Sequence, residues 1–223
     1  LTMKQAIEII VVSDVVCPWC WIGKRNLESA LASWQDSGAQ ATIHWQAFQL
    51  NPQLPADGMA RSDYLLWKFG RSDPSSIYQR VSAAAAQAGL HPDFSGIKQQ
   101  PNTSRAHALI AVAKDDPRLQ DNLVEALFQA YFSDHQDIGK PEVLADIGRQ
   151  TGLTDDLVTL SQSSEYVEQA RDESLAWSER GIGGVPFFII NKRYGLSGAQ
   201  PASELLLAFE QAQAEQSKRE NHA

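Results

Sequence analysis

Residues 6–24 read Ala6-Ile7-Glu8-Ile9-Ile10-Val11-Val12-Ser13-Asp14-Val15-Val16-Cys17-Pro18-Trp19-Cys20-Trp21-Ile22-Gly23-Lys24. Residues 6–13 are β-branched and nearly all apolar, which suits a central strand buried on both faces. From Cys20 the period changes. Trp21, Lys24, Leu27, Leu31 and Trp34 recur at spacings of three and four, the helical interval, and Gly38 ends the run. Residues 41–48 alternate apolar and polar side chains, as a second strand would. Strand, Cys-x-x-Cys, helix and strand make a crossover unit, right-handed by the usual chirality.

Asn51-Pro52-Gln53-Leu54-Pro55 breaks this pattern, and a long region without strand signals follows. Residues 61–70, 74–88, 103–114, 119–133, 141–151 and 163–180 read as helices. Leu119, Leu123, Leu127, Ala130 and Tyr131 form one apolar face. Asn102 or Thr103 can cap the helix after Pro101, and Pro141 fits the first turn of another. Strand character returns at Phe187-Phe188-Ile189-Ile190. Asn191-Lys192 suits a hairpin turn, because Asn tolerates positive φ, and Arg193 to Ser197 would complete the hairpin. Gly198 and Pro201 precede a last helix over residues 202–217, with a frayed polar tail from Lys218. The expected architecture is α/β and discontinuous. Residues 5–50 and 181–220 form a small sheet domain, and residues 55–177 an inserted all-helical one.

The chain has 223 residues, 43% hydrophobic and 21% charged, enough to bury a core without disulfide staples. A net charge of −8 disfavours nucleic acid and anionic membrane as partners, since the bulk field repels both. No apolar run is long enough to span a bilayer. The start, Leu1-Thr2-Met3-Lys4-Gln5, has no basic stretch followed by a long apolar one, so a cytoplasmic location is expected.

The two cysteines, Cys17 and Cys20, both lie in the one Cys-x-x-Cys. In a reducing compartment such a lone pair reads as redox chemistry or half of a metal site rather than a structural staple. Zinc takes about four ligands. A second Cys-x-x-Cys is missing and the five histidines show no close pairing, so no metal is expected. A thiolate at a helix N-terminus is stabilised by unpaired backbone N–H groups and the positive end of the dipole. Pro18 fits the first turn, where no intrahelical donor is needed. The geometry predicts unequal roles. Cys17, exposed, attacks, and Cys20, one turn in and more buried, resolves the mixed disulfide. The competing reading is an idle pair of core thiols.

Gly183-Gly184-Val185-Pro186-Phe187-Phe188 is the second signal. Proline cannot donate to a strand ladder, so at the entrance to an apolar strand it marks an edge or a turn, and Val185-Pro186 is a candidate cis bond. Together, an early strand–Cys-x-x-Cys–helix unit and a late Gly-Val-Pro before an apolar hairpin give the thioredoxin-fold arrangement. The chain resembles the DsbA-like thioredoxin family, and in particular the FrnE-like dithiol–disulfide isomerases. The matching segments are residues 13–24, Phe48-Gln49-Leu50-Asn51-Pro52, Asn102-Thr103-Ser104-Arg105-Ala106-His107, Ala126 to Phe132, Gly184 to Phe188 and Ser197-Gly198-Ala199-Gln200.

The resemblance implies a thioredoxin fold with an inserted α-helical domain. It places Pro186 as a cis-proline facing Cys17. It has the Val185 backbone pair with an extended substrate, or with glutathione, by strand addition. Pro18, Trp19, Val185, Pro186, His107 and Ser197 become the candidate substrate-binding residues beside catalytic Cys17 and Cys20. Several have a plainer reading. Asp14 orders its loop or influences proton transfer at Cys20. Trp21 fits the core better than a substrate lip, whereas Trp19, between the cysteines, is better placed to be exposed. His107 faces the cleft or is a structural helix histidine. Ser197 touches the γ-glutamyl end of glutathione or caps the last helix.

The leading function is a protein dithiol–disulfide oxidoreductase or isomerase. No tightly bound cofactor is implied, and glutathione is admitted as a co-substrate. Expected partners are protein or small-molecule thiols and disulfides. The alternative is a glutathione-dependent isomerase or transferase of small aromatic substrates, similar to 2-hydroxychromene-2-carboxylate isomerases and kappa-class glutathione transferases. Those relatives carry serine where this chain has its motif cysteines, and the intact pair argues against that reading. A non-catalytic, chaperone-like cleft is the third option.

Overall fold

The computed structural model describes residues 5–222 apart from Ser72 and Pro74. Strand β1 (Ile7–Ser13) lies at the centre of a four-stranded sheet of order β2-β1-β5-β6. Strand β2 (Ala41–Ala47) pairs with it in parallel, Ile7 opposite Ala41 and Ser13 opposite Ala47. Strand β5 (Phe187–Ile190) pairs with it antiparallel, and β6 (Tyr194–Ser197) closes the hairpin. The unbroken apolar run of β1 follows from cover on both faces. Ile7, Ile9 and Val11 share a core with Leu27 and Trp34 of α1 (Pro18–Asp36) and Phe209 of α9 (Ala202–Glu220). Ile10 and Val12 pack on the opposite face with Phe48, Ile182 and Trp177.

Between β2 and β5 run α2 (Arg61–Phe69), α3 (Ser75–Gln87), α4 (Ser104–Ala111), α5 (Pro117–Phe132), α6 (Pro141–Thr151), α7 (Asp155–Ser161) and α8 (Ser164–Glu179). One contiguous buried cluster joins β1 and α1 to α4, α5 and α6, so the sheet and these helices share a core. No described helix is long and apolar enough to cross a membrane.

The hairpin turn is as the residue types predict: Asn191 and Lys192 both have positive φ, 50° and 57°. Three features were not legible in the periodicity. A two-residue antiparallel pair, β3 (Met59–Ala60) with β4 (Gln99–Gln100), crosses the region expected to hold no strand. Helix α7 spans only 7 residues and owes its start to a Thr154 side-chain cap on Leu157 N–H. The last helix runs on to Glu220, through the tail expected to fray, with Lys218 and Arg219 set against the negative end of its dipole.

Candidate functional site

Strand β1 ends at Ser13, and a tight turn carries the chain into α1. Cys17 N–H donates to the Asp14 carbonyl at 3.0 Å, and Cys20 N–H to the Cys17 carbonyl at 3.1 Å. Cys17 is the N-cap residue of α1, Pro18 follows in its first turn, and that turn carries no acidic side chain. The positive end of the helix therefore faces the Cys17 sulfur without a competing carboxylate on its own turn. From 168 residues away, the Val185 carbonyl accepts a hydrogen bond from Cys17 Sγ at 3.6 Å. The Val185–Pro186 peptide bond is cis. The Pro186 carbonyl accepts from Gly198 N–H at 2.8 Å, tying this corner to the end of β6.

Both cysteines are free thiols. The expected exposure of Cys17 is not found: it is 4% exposed and Cys20 1%. The cause lies outside the motif. Helices α2 and α3 lie across its mouth, leaving a cavity of about 420 Å³ with Cys17 in its wall. Pro18, Trp19 and Asn51 line the same cavity. Opposite them stand Arg61, Tyr64 and Lys68 of α2 and Tyr78 and Arg80 of α3. Beneath, burial pushes the Cys20 thiol up, and the adjacent Cys17 sulfur adds to the shift. Cys20 therefore keeps its proton at neutral pH.

The other expected site residues lie around this corner. Asp14 is buried; its Oδ2 accepts from Leu50 N–H at 2.8 Å. His107 Nε2 sits 3.0 Å from Asp14 Oδ1 and 3.1 Å from the Phe48 carbonyl. Both partners are acceptors, which assigns the hydrogen to Nε2. His107 is not in the wall of the Cys17 cavity; it lines a separate one of about 180 Å³ beside β2, with Glu173. Burial pushes the Glu173 carboxyl up, partly offset by the Ala47 N–H it accepts. Ser197 is exposed on β6, opposite Phe187 in register, and does not line the Cys17 cavity either.

Helix α1 is held in place from its far side. Trp21 is 3% exposed and stacks on Phe128 and Phe132 of α5 at 6.1 and 5.6 Å between centroids. Lys24, an odd residue for a buried face, reaches Glu28, Asp121 and Glu125 at 2.6, 3.1 and 3.3 Å. Burial alone would lower the Lys24 pKa, but the Asp121, Glu28 and Glu125 carboxylates raise it overall. On the near side Gly23 meets the proline: a Cβ there would lie 2.9 Å from Pro186 Cγ. Gly23→Ala sets a gain of about 1 kcal/mol in helix propensity against an overpacking cost of about 1–3 kcal/mol on a rigid ring. The expected result is a lower urea midpoint with a displaced Pro186. A midpoint at or above that of the native protein would show that the contact yields freely.

Residues 8–210 match the family model of the DSBA-like thioredoxin domain. The chain belongs to that family. Similar to it is the uncharacterized protein YwbO of Bacillus subtilis (strain 168), 26% identical over 191 residues, 83% of this chain and 88% of that one. Among solved structures, the probable DsbA oxidoreductase SCO1869 from Streptomyces coelicolor is 27% identical with a TM-score of 0.79, covering 94% of this chain and 91% of its own. A 2-hydroxychromene-2-carboxylate isomerase is 15% identical with a TM-score of 0.65, covering 96% and 98%; at that identity the likeness is one of fold.

As a DsbA-like protein the chain is a thiol–disulfide oxidoreductase by class, on a thioredoxin fold with an α-helical insert. Among the described residues no group of three or more His, Cys, Asp or Glu is placed to hold a metal ion. The cationic and aromatic wall opposite Cys17 escaped the sequence reading. Arg61, Lys68, Tyr78 and Arg80 sit in helices whose periods say which face is apolar, not what that helix covers.

Proposed function

We propose that the protein is a dithiol–disulfide oxidoreductase or isomerase in which Cys17 attacks and Cys20 resolves. The observation that carries this is the asymmetry of the pair. Cys17 borders the cavity and touches the Val185 carbonyl, while Cys20 lies beneath as a thiol whose proton is held by burial. The Cys17 thiolate attacks one sulfur of a disulfide, and the other sulfur leaves and takes up a proton. Cys20 then gives up its proton and attacks Cys17 Sγ, and the first substrate sulfur leaves as the second thiol. The substrate gains two electrons and two protons, and the protein keeps a Cys17–Cys20 disulfide. Run backwards, the same steps oxidise a dithiol, so direction follows the potential of the partner pool.

Residues 5–50 and 181–220 supply the sulfurs and the cis-proline, and residues 55–177 the cover over them. The groove between them, with the Val185 backbone as a strand edge and Pro18 and Trp19 at the mouth, is the substrate site. In this reading His107 supports the site through Asp14, and Ser197, exposed on β6 outside the cavity, would meet glutathione only where it extends beyond the groove. Cysteines confined to one Cys-x-x-Cys suit a reducing, cytoplasmic setting.

Equilibration in a graded series of glutathione redox buffers, followed by alkylation, tests the reading. Both thiols should disappear together in one two-electron transition. Stepwise loss, or a stable glutathione adduct on one cysteine alone, would remove the resolving role of Cys20. The isomerase alternative has its own signature: a Cys17→Ser, Cys20→Ser protein that still isomerises small aromatic substrates with glutathione would establish it instead.

A further inference from the structure

The cavity on Cys17 has an electrostatic character opposite to that of the chain. The protein carries a net charge of −8, yet Arg61, Lys68 and Arg80 line this cavity and no Asp or Glu does. Lys24, Arg25, Arg105, Arg149 and Arg171 have carboxylates within 4 Å, whereas other described cations, Lys98 and Arg118 among them, have none recorded. What sets the cavity cations apart is that three of them share one cavity. Among the described residues no such partner is found for the three cavity cations. Arg61 is the deepest of them. Its guanidinium donates only to neutral oxygens, those of Gln100, Tyr78 and Tyr131, and its buried Nε has no partner. Arg80 lies 5.9 Å over the Trp19 ring, and Lys68 Nζ donates to Asn51 Oδ1 at 3.1 Å. Asp14, the buried acid nearby in sequence, is committed to Leu50 N–H and His107.

Arg61 is half-buried while Lys68 and Arg80 are exposed at the rim. Like charges along one cleft focus its field and draw an anion in. Apart from Asn51 and Gln100 the remaining walls are apolar and aromatic, with Trp19, Tyr78 and Phe94 among them. At about 420 Å³ the space is of small-molecule size. We propose that this cavity selects carboxylate-bearing small-molecule disulfides and thiols with an apolar body, seating the carboxylate against Arg61, Lys68 and Arg80. The sulfur of such a ligand then lies toward Cys17, and the exchange balances as written above: the ligand disulfide becomes two thiols and the cysteine pair a disulfide. This selection rests on Cys17 being the attacking sulfur, and the test separates the two claims.

Reduced protein is mixed with dithiodipropionate, bis(hydroxyethyl) disulfide or cystamine, which share an aliphatic frame and differ in charge, and with the aromatic dianion dithiobis(nitrobenzoate). Each rate constant is divided by that of dithiothreitol with the same probe, which removes intrinsic reactivity. The dianion should exceed the dication by about tenfold to a hundredfold, the range of electrostatic focusing in a charged cleft. The aromatic dianion should exceed the aliphatic one. In Lys68→Gln, Arg80→Gln protein the ratio should fall toward that of the neutral probe. It should fall likewise in about 0.5 M salt, where the screening length is about 4 Å. Arg61 is spared because its guanidinium also holds Gln100, Tyr78 and Tyr131. A ratio near one in the native protein, or one that the double substitution leaves in place, overturns the selection. So does a faster reaction with a disulfide-linked acidic peptide than with any small probe. If the neutral probe still reacts and Cys17→Ser silences it, only the selection has failed. If Cys17→Ser protein reacts as fast as the native one, the assignment of Cys17 fails as well.

Discussion

Cys17→Ser should reduce insulin disulfides with dithiothreitol no faster than background. The expected loss is on the order of a thousandfold or more, as follows deletion of a covalent nucleophile. Cys20→Ser should behave differently: it should still attack, then stall with the substrate bound through Cys17. Mass spectrometry after acid quench then finds a protein–substrate adduct that the native protein does not accumulate. The pH dependence has a definite sign. Burial holds Cys20 above the ordinary thiol range, so at neutral pH the resolving sulfur must first lose a proton. In native protein the mixed disulfide should persist longer as pH falls, by up to about tenfold per unit while the thiol form dominates. Residual turnover in Cys17→Ser, or an adduct that forms on Cys20 in its place, would reverse the assigned roles.

Trp21→Ala is expected to cost about 3–5 kcal/mol, the range for emptying a large aromatic from a packed core. Trp21 is almost fully buried, stacks on two α5 rings, and donates its indole N–H to Glu125 at 3.3 Å. The deletion leaves a void between α1 and α5, while Glu125 keeps its Arg25 and Lys24 partners. Against a typical domain stability of about 5–15 kcal/mol, this should move the urea midpoint well below that of the native protein. Helix α1 carries both cysteines, so activity should fall while the protein remains folded. A change under about 1 kcal/mol would mean that the α1–α5 contact does not hold the site. The charged part of that contact adds an acid limit. Although burial alone would raise its pKa, Glu125 is held below the ordinary glutamate value of 4.5, chiefly by the Arg25 hydrogen bond and the Lys24 charge. Its contribution is present above about that pH and is lost as pH falls through the depressed value.

Much of this protein is local. A β-branched run, a helix-initiating proline between two cysteines, and a Gly-Val-Pro before an apolar hairpin each state their own geometry. Backbone sterics and side-chain period act over a few residues. Short elements are where that reading fails. The seven residues of α7 complete too few turns to display a period, and β3 and β4 exist only because two distant dipeptides meet. Lys24 shows the same limit on a helix face. Its position at the apolar interval puts it inward, and only α5 supplies the carboxylates that make this tolerable.

Read alone, the chain determined the four strands of the main sheet, the helix that begins within the cysteine motif and the hairpin turn at Asn191-Lys192. Tertiary structure alone decided that Cys17 is covered rather than open, that His107 and Ser197 stay out of the cavity, and that three cations without carboxylate partners surround its mouth. The physical reason is separation in sequence. Burial and electrostatic potential are sums over neighbours in space: α3 reaches residues 17–20 through the shared core, and α2 through a separate small cluster with Leu54, only once the chain has folded.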